Sequence, residues 1–310
     1  MLWKLILFSA ALTTAVYLIN PPPYITHLIV SVFWFAFITT SWNIIGGFAG
    51  QVSLGHPVFI GLGAYTSTLL FMNYGLSPWL GLFCGIVSAL AAAAIIGVPC
   101  FRFGIRGPYF AIGTLAYTMV MEQLAMAFRE VTGGGFGITL RRIDSLLYFQ
   151  SPDPKDYLPI ILSFWVLLIF LLHRLQRFRY RLLAIRENEE AAAAVGVNVF
   201  RVKMYALLLS AAFSAIGGTF YAQYYRYIDP ASVFGPDLAL EILLIAIFGG
   251  IYNLFGPTVG SVILVPISEG LRVLLGGRYV GSHLLIYGIL LIICILRIPE
   301  GISAFLVKKR

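Results

Sequence analysis

Charge is scarce in this chain. Only 11% of its 310 residues are Asp, Glu, Lys or Arg, while 60% are Ala, Val, Ile, Leu, Met, Phe, Trp, Tyr or Cys. A soluble domain carries about 25% charged residues, so this composition cannot cover a water-facing surface. That excludes secreted, fibrous, disordered and nucleic-acid-binding classes. No G-x-x-x-x-G-K-[ST] occurs, so the chain has no P-loop for ATP, and no H-E-x-x-H occurs. The three cysteines, Cys84, Cys100 and Cys294, lie in apolar runs without C-x-x-C spacing, so no disulfide or metal framework is implied. The four histidines, His27, His56, His173 and His283, are scattered among different runs. Gly256-Pro257-Thr258-Val259-Gly260 has the outline of a nucleophile elbow, but no strand precedes it and the central residue is Thr. An active site and a cofactor are therefore not expected.

What remains is apolar sequence, enough for about nine or ten spans of ~20 residues. Candidate runs lie at residues 1–19, 25–45, 52–72, 79–100, 108–128, 158–173, 204–225, 238–254, 257–274 and 282–296. They are too long and too evenly apolar for the alternating pattern of a membrane barrel. In hydrocarbon each backbone polar group needs an internal partner, so helices are the default. The expectation is an all-α polytopic membrane protein of about ten helices, some interrupted by Gly and Pro, spread over residues 1–310 with no sizeable soluble domain. The first run has the look of a secretory signal. It is long for one, however, and ends at Asn20-Pro21-Pro22-Pro23 without a clear cleavage site, which favours a first span.

The net charge of +8 comes from 21 basic and 13 acidic residues, and is read as positive-inside bias. With the N-terminus inside and ten alternating spans, fourteen Lys/Arg fall on the cytoplasmic side and seven outside. Both termini are then cytoplasmic. Two hydrophilic segments remain: an outer loop at 129–157 and an inner segment at 174–203, rich in charge and alanine.

Within the inner segment, Glu187, Glu189 and Glu190 precede four alanines and then Gly196. Ala and Glu favour helix and Gly stops it, so a compact helix–turn–helix knob is expected. Its alanine face suits a groove on a partner, with Glu187 and Glu190 meeting basic residues at the rim; a plain solvated connector is the alternative. The spacing Glu190, Ala191, Ala192, Gly196 resembles the coupling segment of ABC-importer permeases. The longer string AIRENEEAAAAVGVNVFRVKMYA resembles the permease subunits of branched-chain amino-acid ABC importers. So do Trp42 through His56 with Gly61-Leu62-Gly63-Ala64-Tyr65, Arg106 through Leu115, Thr132-Gly133-Gly134, and Gly249-Gly250 with Gly256-Pro257. The chain is most similar to the M-type of the two paired subunits. It departs from the family at the alanines 191–194 and at Tyr117-Thr118-Met119 before Glu122.

The resemblance implies a single transmembrane permease domain in the inner (plasma) membrane of a prokaryote. It also implies a homologous permease partner in a heterodimer, two cytoplasmic ATP-binding subunits that hydrolyse the nucleotide, and an external solute-binding protein. The ATPase-coupling residues would be Glu187, Glu190, Ala191, Ala192 and Gly196. Solutes range from branched-chain amino acids to other amino acids, urea, amides and aromatic acids.

For a pathway, two Gly/Pro-broken stretches stand out, 46–57 and 249–257, as broken helices do in transporters. Helices restarting at Pro57 and Pro257 would offer N–H groups to a carboxylate. The pairs Gly46/Gly50, Gly81/Gly85 and Gly256/Gly260 equally suit close helix packing. Polar residues at membrane depth face cavities or the bundle interior, which nominates Asn43, Gln51, Ser53, His56, Tyr65, Thr114, Thr118 and Glu122. An ion-coupled secondary transporter working alone is the rival reading, with Glu122, Glu241 and Glu269 as its carboxylates.

Overall fold

The computed structural model describes residues 2–143, 145–275, 288, 289, 292 and 301–303. These are overwhelmingly helical: α1 (Leu2–Ile19), α2 (Pro23–Asn43), α3 (His56–Tyr74), α4 (Pro78–Arg102), α5 (Pro108–Ala127), α6 (Arg129–Thr132), α7 (Tyr157–Arg174), α8 (Gln176–Glu187), α9 (Glu189–Ala194), α10 (Val199–Tyr225), α11 (Pro230–Phe234), α12 (Pro236–Gly249) and α13 (Gly256–Leu275). Many start at a proline, whose missing N–H is one the helix leaves unpaired anyway. The strands are two residues each: β1 (Ile138–Thr139) pairs antiparallel with β2 (Tyr227–Ile228).

Seven helical stretches among the described residues are long and apolar enough to cross a membrane: Leu2–Ile19, Pro23–Phe48, Pro78–Arg102, Pro108–Ala127, Pro154–Arg174, Val199–Tyr225 and Pro230–Gly249. The chain is an all-helical, multi-pass membrane protein. Apart from residues 288, 289 and 292, the expected run 282–296 lies outside the described residues, as do Arg278, His283, Cys294 and the basic tail. α3 and α13 coincide with the expected runs 52–72 and 257–274 but are not among the seven. α13 carries Glu269 and Arg272, 3.5 Å apart. α3 carries His56, Thr66, Ser67 and Thr68, and most of it is buried in protein, where His56 meets Ser210 and Thr66 meets Ser88.

The chain divides into two compact units. One is built from residues up to Thr40, Pro154–Arg174 and the chain from Ile242 onward. In it α1 packs on α7, and Phe8, Phe33 and Trp165 form an aromatic cluster with Phe33 and Trp165 edge-on at 5.6 Å. Trp165 donates its indole N–H to Thr258 Oγ1 at 3.1 Å. α12 and α13 meet backbone to backbone: a Cβ on Gly260 would fall 2.2 Å from the Ile245 carbonyl oxygen.

The other unit comprises Ser41–Asp153 and Leu175–Glu241. α3 runs through its centre and packs most extensively on α10 and α4. Glycine makes this possible. A Cβ on Gly63 would sit 2.1 Å from the Ala215 carbonyl oxygen, and one on Gly218 would sit 1.9 Å from that of Ile60. Gly81 and Gly85 face Ser67 and Gly63 of α3, so for that pair the expected helix-packing role holds. Gly46 instead lies against its neighbour Trp42, and Gly50 sits in a turn.

Two polar clusters mark the ends of α10. Lys203 near its start meets Glu189. Near its end Gln223 accepts from Gln150 Nε2 at 3.1 Å, while β1 and β2 tie the 129–157 loop to the chain just beyond α10. From Lys203 to Gln223 the helix rises about 30 Å, close to the thickness of a bilayer's hydrocarbon core. The two clusters therefore lie about one hydrocarbon thickness apart along one helix.

Candidate functional site

After Asn43 the α2 helix widens into a π-helical turn, Ile44–Phe48, and the chain then leaves helical geometry until α3 begins at His56. A π turn inserts an extra residue into the helix and commonly marks a functional segment. Gly50, at φ +68°, reverses the chain where an L side chain is strained. Gln51 N closes the turn on the Ile45 carbonyl at 3.0 Å. The expected helix restart at Pro57 is present, with the proline in the first turn of α3.

The loop of residues 49–55 is held from several sides. Trp42 Nε1 donates to the Ser53 carbonyl at 2.6 Å. From α5, Thr114 Oγ1 accepts from Leu54 N at 3.0 Å and Thr118 Oγ1 donates to the Leu54 carbonyl at 2.8 Å. The four-residue spacing of the two threonines puts both hydroxyls on one face of α5, where they clamp the two backbone groups of a single residue. Gly55 N turns back to Ser53 Oγ at 3.2 Å. The N–H groups of Leu54 and Gly55, just before α3, are thus already used within the protein, which leaves less for a solute carboxylate than the sequence suggested.

Every nominated pathway residue except Glu122 is buried. They fall into three places. Gln51, Ser53, Thr114 and Thr118 build the loop, with Asn43 buried where α2 enters the π turn. His56 belongs to a polar chain between α2, α3 and α10. Ser210 Oγ donates to the Ser41 carbonyl at 2.6 Å, so its one proton is used. It therefore accepts from His56 Nε2, also 2.6 Å away, which leaves His56 Nδ1 as a buried acceptor without a partner. Ser41 and Ser214 hydroxyls extend the chain at 2.9 Å. Tyr65 lies apart, stacked on Phe234 at 5.6 Å with its hydroxyl buried and unpaired. Glu122, half-buried on the Thr114/Thr118 face, is within electrostatic reach of Asp229 and Asp237 and does not join the loop.

The knob has the expected form. Asn188 ends α8 and caps α9, its Oδ1 accepting from Glu190 N and Ala191 N at 3.0 Å each. Gly196 turns the chain at φ +90°, and Asn198 caps α10 by accepting from Arg201 N at 2.9 Å. Glu187, Glu190, Ala191 and Gly196 are exposed, whereas Ala192 is buried and faces inward. The outward face is therefore narrower than a continuous run of alanines. Glu190 lies 4.0 Å from Arg106, which the charge count placed on the same side.

Several residues were not singled out from the sequence. Arg186 Nη1 donates to the Gly47 carbonyl at 3.4 Å. The Arg179 guanidinium lies 5.5 Å over the Phe48 ring. Glu189 accepts from Gln51 Nε2 at 3.3 Å and pairs with Lys203, which is only 3% exposed. The signal for this set was Lys203 itself, an ammonium at the head of the long apolar run of α10, which calls for a nearby carboxylate.

Residues 24–295 match the family described as "Branched-chain amino acid transport system / permease component". The chain is 32% identical over 287 residues to the high-affinity branched-chain amino acid transport system permease protein LivM of Salmonella typhimurium, covering 84% of this chain and 65% of that protein. It thus spans about two thirds of that relative's length. It is 25% identical over 266 residues to a probable branched-chain amino acid transport permease protein, LivH, of Methanocaldococcus jannaschii, covering 80% and 81%. It is also 25% identical over 192 residues to the nucleoside ABC transporter permease protein NupC of Lactococcus lactis, covering 56% and 59%. No solved structure matches the chain.

Proposed function

The chain belongs to the permease-component family of branched-chain amino acid transport systems, and from that premise we propose that it is a membrane subunit of an ATP-driven importer of branched-chain or related amino acids. It hydrolyses nothing itself. A homologous permease, two cytoplasmic ATP-binding subunits and an external solute-binding protein complete the machine, and solute passes by alternating access. Greater identity to LivM, 32%, than to LivH, 25%, favours the M-type position in the pair. The proposed setting is the inner membrane with both termini cytoplasmic. α3, α13 and the run 282–296 join the seven apolar helices as spans of one permease domain.

The observation that carries this reading is the capped knob: exposed Glu190 on a short helix and exposed Gly196 in the turn beyond it, joined through Arg186 and Glu189 to the broken end of α2. A solvated connector has no need of that attachment. The loop 49–55 with Thr114 and Thr118 is the proposed inner gate, and His56, Tyr65 and Glu122 line the path beyond it. A nucleoside or other polar solute is the second substrate reading, favoured by the likeness to NupC.

The test is a double variant, Glu190→Lys with Gly196→Leu. Membrane insertion is retained and ATP-dependent uptake is lost. Wild-type uptake by the double variant would remove the docking role. Uptake by the purified wild-type chain on an ion gradient, without ATP-binding subunits, would favour the secondary transporter instead.

A further inference from the structure

We propose that the Glu189 carboxylate is a positioning joint that makes the α9 knob and loop 49–55 move as one body. This rests on the importer reading for its purpose but on geometry for its existence. Glu189 Oε1 is shared by two donors from different elements, Lys203 Nζ of α10 and Gln51 Nε2 of the loop. Lys203 is 3% exposed and its ammonium lies 5.7 Å from the Phe101 ring centroid. An ammonium in such surroundings cannot give up its carboxylate without leaving a buried charge uncompensated. Glu189 is therefore fixed, and Gln51 is fixed to it.

Two further grips act on the same turn. Arg186 donates to the Gly47 carbonyl, and its stem fills the space beside Gly50, where a Cβ would fall 2.4 Å from Arg186 Cγ. Arg179 covers Phe48. The far side of the loop is bonded to Trp42 of α2 and to Thr114 and Thr118 of α5. A displacement of the knob thus passes through Glu189 and Arg186 to the loop, and from the loop to two membrane helices, along a continuous line of bonded groups. Exposed Glu190 meets the partner; half-buried Glu189, its neighbour, carries the motion inward.

The first arm of the test needs no solute and no partner. In the purified full chain, hydrogen exchange at the amides of Gln51 and Leu54 speeds up about tenfold in Glu189→Ala, within the roughly 5–150-fold typical of coupled sites, while α3 amides keep their rates. Glu189→Gln, which keeps an oxygen acceptor but removes the charge opposite Lys203, gives rates between those of wild type and Glu189→Ala. Unchanged exchange in Glu189→Ala overturns the joint. Should that variant fail to fold, Arg186→Met is read in the same way. The second arm measures tritiated leucine moved per ATP hydrolysed in vesicles holding the complete complex; the ratio falls about tenfold in Glu189→Ala. An unchanged ratio overturns the joint's role in coupling. Accelerated exchange together with wild-type uptake that ignores nucleotide supports the joint and sinks the importer reading instead.

Discussion

Replacing Gly218 by alanine adds one methyl group at the tightest contact between α3 and α10. The new Cβ would lie 1.9 Å from the Ile60 carbonyl oxygen and 3.0 Å from Ala64 N. Carbon and oxygen in repeated backbone contacts approach to about 3.3 Å, so the helices must part by roughly 1.4 Å. No side chain can yield in their place, because the obstructing atoms are backbone. Overpacking of this kind costs about 1–3 kcal/mol, offset by the ~0.5–1 kcal/mol that alanine gains over glycine inside a helix. The same movement carries His56 Nε2 beyond hydrogen-bonding distance of Ser210, now 2.6 Å away. Gly113 of α5 supplies the control, since nothing lies within 4 Å of a Cβ built there. Gly113→Ala receives only the helix gain. The two variants should differ in thermal midpoint, measured on the detergent-purified chain, by on the order of 2–5 °C with Gly218→Ala the lower. If Gly218→Ala melts at or above Gly113→Ala, the backbone-to-backbone contact is not what sets the spacing of α3 and α10.

Thr118→Val keeps shape and removes the hydroxyl that donates to the Leu54 carbonyl. It should cost about 1 kcal/mol and expose the loop to faster proteolysis, with insertion unchanged; protection equal to wild type would remove Thr118 from the clamp. Ser210→Ala takes away the acceptor for His56 Nε2 and the donor to the Ser41 carbonyl together. Leaving buried polar groups unpaired costs about 1–3 kcal/mol, to be read as a lowered unfolding midpoint, and an unaltered midpoint would show that water replaces the serine.

Much of the membrane architecture was legible in the sequence because lipid imposes one simple demand. A run such as 79–100 is apolar along its whole length, and α4 follows it closely. α3 was harder to read, since a helix buried in protein can carry polar residues such as His56 and Ser67. The knob was legible because alanine, glutamate and Gly196 signal locally. Its attachment was not. Arg186 on Gly47 and Glu189 on Gln51 join positions 139 and 138 residues apart, and no local pattern records which distant carbonyl or amide a charged group will find. The threonine pair 114/118 announced a face of α5, but not that the face would grip the backbone of Leu54. The glycines show the same limit: Gly81/Gly85 packs helices as the motif suggests, while Gly46/Gly50 has the same spacing and forms a turn.

The division of the chain also bears on how it is made. One unit is complete when residue 241 has been synthesised, but the other needs both its first helices and the stretch that follows Ile242. At roughly 5–20 residues per second, α1 waits on the order of eight to thirty seconds for α7, the helix it packs on, to be completed. Through that interval the apolar surface that α1 later sets against α7 has lipid for its neighbour.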